Sequence, residues 1–66
     1  MKLADVEAWL EGIRASARDP ESAHSEEDEL YRLLLESISN GTCEDPASCA
    51  RLALTSSDIE FPRWCA

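Results

Sequence analysis

From Leu3 onward, apolar residues recur at steps of three and four: Leu3, Val6, Leu10, Ile13 and Ala17. This spacing puts them on one narrow stripe of a helix, with Trp9 on its flank. Glu7, Glu11, Arg14 and Arg18 share a solvated flank, and Gly12 lies opposite the stripe, where it weakens the helix without breaking it. A first helix over 3–18 is expected. The polar phrase Asp19-Pro20-Glu21-Ser22 then reads as a helix start: Asp19 caps free amides, Pro20 suits the first helical position, and Glu21 favours the positive end of the helix dipole. Ser25 offers a rival start, with Asp28 in a variant capping box. Either start leads to a helix stopped by Asn40-Gly41, so the second helix is expected over 20–39.

Along that helix Ala23, Leu30, Leu34 and Ile38 form the apolar stripe, with Tyr31 and Leu33 at its margins. Arg32 falls on the opposite face among Asp28, Glu29 and Glu36. Glu27 is in phase with the stripe. Either the stripe opens to water near the helix start, or Glu27 is buried and needs His24, Tyr31, an arginine or a backbone amide to satisfy it. Asp45-Pro46 repeats the Asp-Pro start and opens a third helix over 46–55, whose inward face carries Cys49, Ala50 and Ala53. Residues 56–66 break the helical pattern: Ile59 and Phe61 point one way in an extended segment, Pro62 prevents a regular continuation, and Trp64 follows. The expected fold is all-α, a small three-helix bundle in one domain over 1–66, with the extended aromatic tail packed on it. Phe61 and Trp64 would supply bulk that three short helices lack, burying on the order of 300 Å² between them.

A chain of 66 residues leaves little room for an enclosed pocket, and its core is thin enough that dimerisation into a structural subunit is a competing expectation. Net charge sharpens the functional reading. Fourteen acidic residues face six dispersed basic ones, for a formal charge of −8, which disfavours direct nucleic-acid contact and favours a protein partner with a basic surface. The third helix offers only Arg51, Ser48 and Thr55 on its polar side, too little to hold a duplex. With no long uncharged run at the start, neither a leader nor a membrane span is expected, and three cysteines, an odd number, suit a cytoplasmic setting.

Candidate chemistry is sparse. His24, the one histidine, has Glu27 and Asp28 at helical spacing but no nucleophile or oxyanion loop beside it in sequence, so no enzyme and no cofactor are expected. Cys43, Cys49, Cys65 and His24 are four potential metal ligands without a tight Cys pair, which makes a small metal-binding domain an alternative rather than the main reading. The densest charge cluster is Glu26, Glu27, Asp28 and Glu29. Together with exposed parts of Trp9 and Trp64 it forms the candidate partner-binding set.

From Ala23 to the end, the residues His24, Glu27, Asp28, Leu30, Gly41, Ala50, Leu54, Phe61, Arg63, Trp64 and Cys65 resemble a pattern found in a group of small uncharacterised proteins of actinobacteria and their phages. The closing acidic-aromatic-Arg-Trp-Cys-Ala phrase is its most specific part. The resemblance carries no activity; it implies a phage or prophage setting in which small acidic proteins bind and redirect host proteins. The main expectation is therefore a non-catalytic, acidic protein-binding module, in that setting a modulator or inhibitor of a host protein.

Overall fold

A computed structural model describes residues 1–63 of the chain. Its elements in chain order are α1 (Leu3–Ala15), α2 (Pro20–Ser39), α3 (Pro46–Leu54) and a single 3₁₀ turn (Thr55–Asp58), after which the chain continues without regular structure to Arg63. This is the expected all-α three-helix bundle. Among the described residues no helix is long and apolar enough to cross a membrane.

Local chemistry sets each boundary. At the start of α1 the Lys2 amide donates to the Asp5 carboxylate at 2.9 Å, satisfying one of the amides left over at a helix N-terminus. The helix stops at Ala15, three residues short of the expected 18. Pro20 forces Asp19 out of the helical region (φ −113°, ψ 91°), so the reversal has to be made before it. Ser16 accordingly donates back to Gly12 and Ile13, and Asp19 donates to Ser16 at 2.8 Å. Asp19 then caps α2 through the amide and hydroxyl of Ser22, at 3.4 and 2.9 Å, so the Asp-Pro start prevails over Ser25.

The far end of α2 closes as a Schellman motif. Gly41 takes a left-handed φ of 76°, its amide donates to Ile38, and the Thr42 amide donates to Ser37 at 2.9 Å. Three residues on, Asp45 is also left-handed (φ 52°), which costs about 1 kcal/mol for a residue with a Cβ. That turn lets its carboxylate cap Ser48 while Pro46 opens α3. The hydroxyls of Thr55 and Ser57 bond back to the Leu52 and Leu54 carbonyls, tightening the chain into the 3₁₀ turn and pointing Ser56 fully inward.

The core joins Val6, Leu10 and Ile13 of α1 to Ala23, Leu30 and Leu34 of α2, Cys49 and Ala53 of α3, and Phe61 of the tail, with Ile59 packed at its edge. α1 makes most of the interhelical packing, and α2 and α3 touch each other least. Three expected inward positions fall outside it: Leu3 and Ile38 are 40% and 38% exposed, and Ala50 is half-buried at the rim of α3. At the end of α2 the buried position is Ser37 instead, because the Schellman turn folds Thr42 over that face and Met1 reaches it from ahead of α1, so that the Met1 amino group and the Thr42 hydroxyl both meet the Ser37 hydroxyl. Gly12, expected opposite the stripe, is half-buried, and the Glu26 carboxylate lies 3.8 Å from where a Cβ on it would sit.

Candidate functional site

Glu27 occupies a core position on α2, 6% exposed between Ala23 and Leu30. An ionised carboxylate there needs a partner, and the tail supplies Arg63. Its Nε donates to Glu27 Oε1 at 3.0 Å and its Nη2 to Oε2 at 2.9 Å, the two-pronged geometry that matches guanidinium to carboxylate. Arg63 also bonds the chain that carries it: the second Nη2 hydrogen is shared by the carbonyls of Ser56 and Ile59 at 2.9 and 3.2 Å, and Nη1 donates to that of Phe61 at 3.3 Å. The guanidinium carbon sits 3.9 Å from the centre of the Phe61 ring, adding a cation–π contact. Tyr31 and Ser56 complete the cluster with a hydroxyl–hydroxyl bond, and Ser56 adds a weaker pull on the same carboxylate. Hydrogen bonding from Arg63 outweighs burial and holds the Glu27 carboxyl below the usual carboxylate range. Both carboxylate oxygens face the arginine, so this cluster fastens the tail to the bundle and offers no open acid or base.

The four consecutive acids go four separate ways, as a rise of about 100° per residue requires. Glu26 lies in the contact with α1, one of its oxygens buried without a hydrogen-bond partner. Glu27 is internal. Asp28 is exposed and 3.4 Å from His24 Nδ1, and Glu29 is taken by Arg32. The acidic cluster is therefore no single patch, and Glu27 belongs to the interior rather than to any contact surface. Trp9 is half-buried, lining with Asp5, Leu33 and Ser37 a shallow depression of about 430 Å³ between α1 and α2. Trp64 and Cys65 lie outside the described residues.

Among the described residues the candidate metal ligands are not assembled into a site. Cys43 and Cys49 lie together at the α2–α3 turn, both reduced, whereas His24 is more than a dozen residues up α2, roughly 20 Å away along the helix. Among the described residues no group of three potential ligands is within reach of one ion.

Sequence reasoning missed an apolar groove between α2 and α3. Between α2 and α3, the helix pair that touches least, Tyr31, Leu34, Leu35, Ala50, Ala53 and Leu54 line a groove of about 370 Å³. Leu34 and Ala53 form its buried floor, while Leu35 and Leu54 stand as walls, 66% and 65% exposed. Leu35 escapes a stripe count because it lies one position off the core phase, and Leu54 because it ends its helix. No family model, curated protein or solved structure matches the chain.

Proposed function

We propose that the protein is a non-catalytic binding module that takes a cationic amphipathic helix of a partner protein into the groove between α2 and α3. The observation that carries this reading is the pair of exposed leucines walling an apolar trough on a molecule of net charge −8. Monomeric proteins seldom leave large side chains standing together in water without a use. The small lining residues Ala50 and Ala53 let a third rod approach α2 and α3 closely, as in helix-in-groove recognition. Charge selects the occupant. Four of the six basic residues are already engaged, Lys2 with Glu44, Arg14 with Glu11, Arg32 with Glu29 and Glu36, and Arg63 with Glu27. The remaining field is acidic, with Asp28 one helical repeat from Leu35 and Asp58 one turn beyond Leu54. A second copy of the chain would bring another −8 to the interface, so a basic partner fits better than self-association. The resemblance to actinobacterial and actinophage proteins adds that this partner is a host protein being redirected.

The test uses two synthetic helices with the same leucine face, one lysine-rich and one glutamate-rich. The basic peptide is expected to bind, to shift the amide resonances of Tyr31, Leu35, Ala50 and Leu54, and to weaken at least about tenfold between about 0.05 and 0.5 M salt. Leu35→Asp with Leu54→Asp is expected to abolish binding while leaving the circular dichroism unchanged. Equal binding of both peptides, or shifts clustered around Trp9 instead, would remove the groove from consideration.

A further inference from the structure

Cys43 and Cys49 have no part in the groove or in the tail fastening, yet the fold takes pains to bring them together. Cys43 follows the Schellman turn, with its amide tied to the Ser37 carbonyl at 3.2 Å. Cys49 lies in α3, its amide tied to the Asp45 carbonyl at 3.0 Å. Between them Asp45, left-handed, and Pro46 fold the chain back on itself. Both sulfurs converge on one acceptor as a result: Cys43 Sγ is 3.8 Å and Cys49 Sγ 3.3 Å from the Glu44 carbonyl oxygen, which brings the two thiols to the same side of the turn. Their exposures differ. Cys49 is completely buried, whereas Cys43 is half-buried and reachable from outside.

We propose that Cys43 and Cys49 form a thiol–disulfide exchange site that takes a low-molecular-weight disulfide of the glutathione class. Cys43 is the attacking sulfur because an incoming disulfide can reach it and cannot reach Cys49. As a thiolate it bonds to one sulfur of the small disulfide, whose own S–S bond breaks and releases one small thiolate. The mixed disulfide on Cys43 stands beside Cys49. Cys49 then gives up its proton, bonds to Cys43 Sγ and displaces the second small thiolate, which takes up a proton. Two cysteine thiols are oxidised, one small disulfide is reduced to two thiols, and no other reactant is required. Burial pushes the Cys49 thiol up, so the second step is the slow one and the mixed disulfide on Cys43 is the species that builds up first. The product would staple the turn after α2 to α3, with its inner sulfur shielded from reductant.

The experiment is incubation of the reduced, full-length chain with oxidised glutathione in the absence of air, followed by peptide mapping of all three cysteines. The expected end product is a peptide containing Cys43 and Cys49 that has lost two hydrogens, about tenfold or more in excess over any peptide linked to Cys65, since proximity gives the pair a high effective concentration. Cys49→Ala is expected to hold glutathione on Cys43 indefinitely, and Cys43→Ala to leave Cys49 unmodified in the folded chain but modified in denaturant. Linkage of either residue to Cys65 as the main product overturns the proposal. So does a separate glutathione on each cysteine, or faster modification of Cys49 than of Cys43, in a chain whose circular dichroism is native. Neither result depends on whether the groove binds a peptide.

Discussion

Arg32 and Arg63 both bond to carboxylates carried by α2, but their surroundings differ. Arg32 lies on the outer face between Glu29 and Glu36, with more than half of its side chain in water, and all three residues sit within one stretch of a single helix. Arg63 reaches across 36 residues of sequence to a carboxylate that is almost wholly buried. The first cluster orders nothing that α2 would not order alone. The second ties the end of the described chain to the core and neutralises a charge that would otherwise oppose packing. The same pairing of guanidinium with carboxylate therefore conceals unequal consequences, because the cost of losing a partner is set by how much water the remaining group can recover.

The widest break in this comparison is to remove the tail altogether. A chain ended at Asp58 loses Phe61, worth about 3 kcal/mol by analogy with other buried phenylalanines, and leaves Glu27 unpaired as well. A domain of this size rarely holds more than about 5 kcal/mol in total, so the shortened chain is expected to have lost its cooperative thermal transition. An unchanged melting temperature would show that the tail contributes nothing to the interior.

Single substitutions come next and should be asymmetric. Arg63→Ala strands the Glu27 carboxylate and is expected to cost about 2–3 kcal/mol, the low side for a buried pair because a third of Arg63 remains in water. Glu27→Gln leaves an arginine that keeps its carbonyl contacts and can hydrate, for about 1–2 kcal/mol. Urea titrations of the two variants, read as midpoint shifts, check the order, and equal losses would refute it. Acid sharpens the same point. Because Glu27 has its carboxyl lowered in the folded state, its contribution is fully present above the ordinary value of about 4.3 and is lost as pH falls through the lowered one. Wild type should therefore lose stability below about pH 4 more steeply than Glu27→Gln.

The smallest effect belongs to the exposed cluster. Arg32→Ala is expected to leave the melting midpoint within experimental scatter, and added salt should erase any difference that remains.

Much of this architecture is legible in the chain itself. Two Asp-Pro pairs and one Asn-Gly pair mark three of the six helix ends, and periodicity alone picks out Val6, Leu10, Ile13, Ala23, Leu30, Leu34, Cys49 and Ala53 as core. Glu27 is conspicuous for the same reason, a charge in phase with an apolar stripe. What the pattern leaves open is which group would answer it, since four types were admissible and the choice is made by a contact 36 residues distant. Ser56 is hidden more deeply: nothing in a Thr-Ser-Ser-Asp string tells which hydroxyl turns inward until the 3₁₀ turn is built. The groove is illegible for a related reason. Leu35 and Leu54 are far apart in sequence and belong to no common stripe, and only the packing of α3 beside α2 brings them to one groove.

The left-to-right order of synthesis gives the Glu27–Arg63 contact one more meaning. A nascent chain exposes Glu27 long before its counter-ion has been added, so the three rods can associate loosely but carry a solvent-seeking group at their seam until position 63 emerges. Locking of the domain should accordingly wait for the segment that carries Arg63, arriving in one step rather than growing helix by helix.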